Sequence, residues 1–445
     1  MSQVYFIVSD LNRLYLLIVF QVICFLNLYA FVVPDDERPE FYFADLNKSL
    51  KDLSLNSPVM KLGELDLTVA QANYLLAKSE QGIRLGINTF GQSIHEDRPN
   101  QDFYHRYRIL NQVYLKKPLF HWGALQAQEE IGRLNNDLSQ QNLRFRTRRL
   151  RGELRSVFLE LIVLNYRLQL ANEQINLAKQ SVQSAEEKIK VGLGTELSLE
   201  EARAETLNRQ ISKSDIKVSL QHKYTQFISL SGYSEELDLT IPEDFWSFCL
   251  KENPNSSFPV MVGSLNSDEI EHFKTQVSIE DQRIIIADSE LKPKINLTGA
   301  YFQDQIDTAE SGKNVDRNNF LIGLEASWAI WDSHKSKAQK RAAIARKSKF
   351  EHLIKTKSDE KRKNLKVMSD ELDSLKERIA LGRKLTSVAQ SRLEKSNLEL
   401  SLDRISPLEH FASVVALDHA KIRNLEAACK YMMLLDQYEQ IVANL

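Results

Sequence analysis

The chain has 445 residues, 43% of them hydrophobic and 27% charged, with only 15 glycines and 10 prolines. That is enough apolar content to bury a sizeable core, and it excludes a disordered or low-complexity protein. Lysine and arginine total 58 against 60 aspartates and glutamates, a formal net charge of −2, so no global basic field attracts nucleic acid or anionic lipid and any partner is recognised locally. A mean hydropathy of −0.35 with one long apolar run excludes a polytopic helical membrane protein. It does not exclude a β-barrel, whose alternating strands barely register in hydropathy.

Residues 1–30 read as a secretory signal peptide. An apolar segment from Tyr15 to Val33 follows Arg13 and passes the small residue Ala30 before the polar Pro34-Asp35-Asp36-Glu37-Arg38. An uncleaved signal anchor and a misplaced start are the alternatives. Ile23 stands before Cys24 where a lipoprotein signal has a small residue, which argues against acylation. Cys24, Cys249 and Cys429 are far apart and form neither a redox pair nor a zinc motif.

After an N-terminal segment, 31–64, the chain reads twice through one order of elements. The first repeat, 65–231, has a helix Thr68 to Glu80, strands 84–93 and 105–120, and helices 123–190 and 197–231. A connector, 232–264, carries Pro242, Asn253-Pro254-Asn255 and Pro259. The second repeat, 265–445, has a helix Ser267 to Leu291, strands 294–305 and 319–331, and helices 333–398 and 407–443.

Leu150, Leu154, Val157, Leu161, Leu164, Leu168, Ala171, Ile175, Ala178, Val182, Ala185 and Ile189 step in a 4-3 rhythm, the seam of a coiled coil. In the second repeat Leu365, Met368, Leu372, Leu375, Ile379, Gly382, Thr386, Ala389 and Leu393 keep the same beat. At 1.5 Å per residue each such helix is on the order of 100 Å long. The strands alternate instead: Phe320, Ile322, Leu324, Ala326, Trp328 and Ile330 face one way, and Asn319, Leu321, Gly323, Glu325, Ser327 and Ala329 the other. Ile295, Leu297, Gly299 and Tyr301, and Tyr107, Ile109, Val113 and Leu115, alternate likewise. Polar stretches, Ile94 to Tyr104 and Asp307 to Asn318, join each pair as solvent-facing hairpin loops. Open sheet edges are not tolerated in lipid, so four membrane strands per chain require several chains to close one barrel.

Four places resemble the TolC-type outer-membrane efflux protein family, in order and across almost the whole mature chain. Lys117-Pro118-Leu119-Phe120-His121-Trp122-Gly123 and Ala329-Ile330-Trp331-Asp332-Ser333 are similar to the family's passages from strand to long helix. Val191-Gly192-Leu193-Gly194-Thr195 and Leu402-Asp403-Arg404-Ile405-Ser406-Pro407 are similar to its turns between paired helices. Two departures fall in the second repeat, where His334 and Asp403 replace the usual glycines. The family's aspartate just inside each returning helix is Ser198 in the first repeat and Glu409 in the second.

The resemblance implies a mainly α protein with a small β part: a long antiparallel coiled-coil helical barrel, with four strands per chain contributed to a trimeric transmembrane β-barrel. It implies an outer-membrane channel extending into the periplasm, which works as a homotrimer with a periplasmic adaptor and an inner-membrane transporter and conducts passively, without cofactor, metal or catalysis. The expected lumen-facing strand residues are Arg106, Arg108, Gln112, Asn296, Thr298, Glu325 and Ser327. Val191, Gly192, Leu193, Gly194, Asp403, Arg404 and Ser406 form the expected adaptor-contact tips, and Glu409, Glu399 and Ser198 the candidate gate. Trp122, Trp328 and Trp331 suit an aromatic girdle in contact with outer-membrane lipid.

Other chemistry finds no support in the sequence. The nine histidines form no H-x-x-x-H pair beside a glutamate, and no Walker A, Rossmann or nucleophile-elbow motif occurs. Arg146, Arg148, Arg149 and Arg151 lie on a helix with a regular apolar seam and mark a solvated or inter-helix face rather than a nucleic-acid site. The competing reading is an exported coiled-coil scaffold without a pore, which leaves the amphipathic hairpins and the glycine turns unexplained.

Overall fold

The computed structural model describes residues 33–97, 99, 104–233, 235–250, 268–308, 313–402 and 404–442. The signal segment 1–30, much of the connector and Asp403 lie outside the described residues. A short 3-10 turn, Asp35–Glu37, opens the chain. It is followed by α1 (Pro39–Tyr42), α2 (Ala44–Lys51), α3 (Leu53–Asn56), α4 (Pro58–Ser79), β1 (Arg84–Glu96) and β2 (Tyr104–Phe120). The order continues with α5 (Ala124–Lys190), α6 (Glu196–Ser231), α7 (Glu243–Cys249), α8 (Asp268–Ser289), β3 (Lys294–Thr308), β4 (Lys313–Ser327), α9 (Lys335–Ser401) and α10 (Pro407–Val442). The helices of the two passes match in length: α4 and α8 have 22 residues, α5 and α9 67, and α6 and α10 36.

The chain divides into two compact units, and α5 and α9 each contribute to both. One comprises Leu62–Phe145 and Asp268–Lys357. Its antiparallel sheet has the order β1-β2-β3-β4, and β1 and β4 are edges with no strand partner among the described residues. Ile131, Leu134 and Leu138 of α5 pack on Ile279 of α8. Glu280 of α8 is buried and ion-paired by Arg283 and by Arg346 of α9, while Lys347 bonds Asp281 at 2.7 Å. A buried carboxylate persists where cations satisfy it.

The other unit comprises Met1–Lys61, Arg146–Ser267 and Ser358–Leu445. Its core is aromatic: Phe43, Phe158, Phe227 and Phe245 are all buried, and ring centroids meet at 5.1 to 5.7 Å. The Phe43 pairs with Phe158 and Phe245 are edge-on, a geometry that contributes beyond buried area. Arg155 is held between Glu40 of α1 and Asp436 of α10, and Arg38 bonds Glu439 at 2.7 Å, so paired charges anchor the N-terminal segment to the last helix. Gly232 ends α6 with φ +68, and an added Cβ would lie 2.1 Å from the Asn56 carbonyl oxygen, so only glycine fits there.

Every seam residue named for the long helices is buried or half-buried, Leu154, Leu161, Leu372 and Leu375 almost completely. The strand limits differ from expectation. β1 and β2 run on to Glu96 and from Tyr104, and β3 and β4 reach Thr308 and begin at Lys313, so backbone pairing continues through segments read as loops. β4 stops at Ser327 rather than Trp331, because its partner β3 begins at Lys294, behind Pro293, which has no N–H to donate. α4 starts at Pro58, well before Thr68, with proline in the first turn where its missing N–H costs nothing.

Candidate functional site

The sheet separates two chemistries by register, since residues directly paired across antiparallel strands share a face. Ile87, Val113, Tyr301 and Phe320 form one row across all four strands, and Leu85, Leu115, Gly299 and Ile322 the next. Ile87, Phe320 and Ile322 are 70% or more exposed. An apolar face this open on the isolated chain marks contact with lipid or with another chain.

The opposite face carries the polar set. Register places Arg106, Arg108, Gln112, Thr298, Glu325 and Ser327 on it, together with Asn88, Gln92, Lys116 and Asp304. Arg108 donates two hydrogen bonds to Asp304 at 2.7 and 2.8 Å, and Lys116 pairs with Glu325 at 3.0 Å. Asn296 is on this face too but is not open to water as expected. It is 5% exposed, and the His121 imidazole donates to its Oδ1 at 2.9 Å. Asp304 and Lys116 were missed, although strand parity alone assigns them. Tyr114 lies across its cross-strand partner Gly86, covering the space a side chain would fill.

Each long helix is reached through two successive residues with positive φ, Trp122 and Gly123 before α5 and Ser333 and His334 before α9. Asp332 then accepts from the Ser336 N–H at 2.8 Å and caps α9, and backbone donors hold its carboxyl below the usual carboxylate range. The Trp331 ring meets the His334 ring edge-on at 4.8 Å.

At the opposite end of the helices, the tip between α5 and α6 is a Schellman turn. The N–H of Leu193 donates to Lys188 O at 2.9 Å and that of Gly192 to Ile189 O at 3.0 Å, with Gly192 at φ +74. A Cβ on Gly194 would sit 2.8 Å from Ile189 N. Val191 is 67% and Leu193 83% exposed. Ser198, a candidate gate, is engaged in the cap: its hydroxyl donates to Thr195 O at 2.7 Å and its N–H to the Thr195 hydroxyl at 3.3 Å.

In the tip between α9 and α10, the N–H of Arg404 donates to Glu399 O at 2.9 Å. Ser406 and Glu409 form a reciprocal capping box. The Ser406 N–H donates to Glu409 Oε2 at 2.8 Å, and the Glu409 N–H donates to Ser406 Oγ at 3.3 Å. The Ser406 backbone N–H, then its hydroxyl, hold the Glu409 carboxyl below its ordinary range, and Lys188 of the first tip adds to this. Glu399 and Glu409 line one groove with Arg392 and Lys395, so cations intersperse the acidic pair. Among the described residues no group of three or more histidine, cysteine or carboxylate side chains is placed to hold a metal ion. No helix of the described residues is long and apolar enough to cross a membrane.

The chain thus combines a four-strand sheet with one apolar and one polar face and helices of 67 and 36 residues. Residues 50–233 match the outer membrane efflux protein family. The fold matches that of the CmeC outer-membrane channel of Campylobacter jejuni, with TM-score 0.78 and 12% identity over 90% of this chain and 86% of that one. It also matches the outer-membrane protein VceC of Vibrio cholerae, with TM-score 0.70 and 15% identity over 91% and 97% of the chains. The open state of the MtrE channel of Neisseria gonorrhoeae gives TM-score 0.68 and 13% identity over 92% and 91%. No curated protein matches the sequence. Over residues 50–233 by sequence, and over most of its length by fold, the chain is similar to outer-membrane efflux channels.

Proposed function

We propose that three copies of this chain close one β-barrel in the outer membrane, continued by a helical tunnel, through which substrates pass passively. A periplasmic adaptor and an inner-membrane transporter deliver them. The observation that carries the reading is the sheet itself: its row from Ile87 to Phe320 is apolar, the reverse face bears Arg108, Asp304, Lys116 and Glu325, and neither edge has a strand partner among the described residues. Such a sheet is stable in lipid only when other copies pair its edges. A soluble scaffold gives no reason for this face, so the pore reading is preferred. The polar residues, Arg106, Gln112, Thr298 and Ser327 among them, then face a water-filled lumen of mixed charge and weak selectivity.

The adaptor meets the tips at Val191, Gly192, Leu193, Gly194, Asp403, Arg404 and Ser406. The support is the exposure of Val191 and Leu193 on a turn that only glycine closes easily. Gly192→Val forces a β-branched residue into the left-handed region. A photocrosslinker at Leu193 should then lose its adaptor product while trimers remain intact. Retained crosslinking would contradict the tip assignment.

Glu409 and Glu399 of three chains form the constriction at the tunnel end, where carboxylates around a symmetry axis attract cations. The support is their exposure on a shared groove. In bilayer recordings Glu409→Ala should lower cation selectivity. Unchanged selectivity would leave Glu409 only its capping role.

A further inference from the structure

We infer that the helix-bearing rim of the sheet is a collar for anionic phospholipid headgroups of the membrane leaflet facing the helices. This rests on the reading of the sheet as membrane-spanning. The apolar face runs through Leu297 and Leu324, level with Lys117, and past the end of β4. Beyond it Trp328, Ile330 and Trp331 are 61%, 78% and 70% exposed. Two indoles are fixed by their polar edges, the Trp328 N–H donating to Leu291 O at 2.9 Å and the Trp122 N–H to Pro293 O at 2.8 Å. Indoles with a satisfied N–H and an exposed ring suit the boundary between hydrocarbon and headgroups.

Around these rings the charge is one-sided. Lys292 stands 5.1 Å above the Trp122 ring. Lys335 and Lys337, both exposed, occupy the first turn of α9, which holds no acidic residue. Lysines there oppose the helix dipole, an arrangement that a bound anion offsets. The neighbouring carboxylates are already engaged: Asp332 with the Ser336 N–H at 2.8 Å, and Glu290 with Lys294 at 3.1 Å. No carboxylate of the described residues lies within 4.0 Å of the ammonium groups of Lys117, Lys292, Lys335 or Lys337. Uncompensated lysines beside exposed indoles, continuous with a lipid-facing surface, fit a phosphodiester headgroup with net negative charge rather than a zwitterionic one.

The test uses the detergent-purified oligomer of the full chain, equilibrated with equal amounts of phosphatidylglycerol and phosphatidylcholine. Retained lipid is counted by native mass spectrometry, and conductance is recorded separately in phosphatidylcholine bilayers. At roughly fivefold per engaged lysine, phosphatidylglycerol should be retained at least about tenfold over phosphatidylcholine. The combined variant Lys117→Gln, Lys292→Gln, Lys335→Gln and Lys337→Gln should fall below about twofold while conducting normally. Glutamine at Lys349, Lys355, Lys363 and Lys366, exposed positions further along α9, should leave the preference intact. Equal retention by the conducting wild-type oligomer, or an unchanged preference in the conducting rim variant, would overturn the collar alone. A chain that neither inserts nor conducts would overturn the membrane reading and the collar with it.

Discussion

Ser333 and His334 adopt positive φ where the first pass of the same fold has Trp122 and Gly123. The glycine missing from the second helix start therefore does not change the backbone there. Histidine is among the non-glycine residues that enter this region more readily, and the Trp331 ring packs against it. Asp418 is a different case, a buried acid with one hydrogen bond, from Gln174 at 3.4 Å. Burial raises its pKa. A carboxyl whose folded pKa is raised binds its proton more tightly when folded, so its contribution to stability falls as pH climbs through its unfolded value near 3.8. Asp418→Asn should thus raise the unfolding temperature at pH 7, with the gain vanishing below about pH 3.8. An equal or lower unfolding temperature at pH 7 would contradict a destabilising role for the buried carboxylate. No sequence signal marks this residue, because its burial depends on packing and not on pattern. Ser198 and Glu409 illustrate the reverse: their spacing behind Thr195 and Ser406 is itself a capping signal, and the structure gives both that role.

The long helices were legible because a seam repeats many times and each step reinforces the last. Strand ends were not, because pairing extends through polar residues whose alternation carries no hydrophobic signal. Asp304 pairs in register with Arg317 and Gln303 with Asn318, in or beside a stretch that composition assigns to a loop. Parity is more robust than limits: the polar residues expected on one face of β2, β3 and β4 do share it, even where Asn296 is covered by His121. The two faces make unequal demands, and adjacent residues of β4 test this. Ile322 is 70% exposed on the apolar face, and Gly323 lies on the polar face with open space where a side chain would go. Ile322→Lys should destabilise the protein folded in lipid vesicles by about 2–4 kcal/mol if it sits near the bilayer midplane. Gly323→Lys should cost much less. Denaturant titrations in vesicles would show this, and equal costs for the two would contradict the assignment of faces.

For the molecule as a whole, the described residues of one chain supply an apolar and a polar sheet face, and on the proposed reading a barrel closes only when several copies join. At the outer edges of the sheet β1 and β4 have no strand partner among the described residues, and in hydrocarbon each unpaired peptide group costs several kcal/mol. Matching helix lengths in the two passes mean that each chain offers two similar helical hairpins, which suits a ring assembled from a few copies. The apolar content and near-neutral charge agree with the proposed division of labour, in which lipid, water and partner contact are each confined to a local surface. Single-channel recording of the purified, size-defined oligomer in a planar bilayer tests insertion, closure and a continuous pore together. Discrete conductance steps from the trimer and none from the dissociated chain are the expected result. A monomeric or dimeric rod that never inserts would contradict the channel and leave the pore-free scaffold in its place.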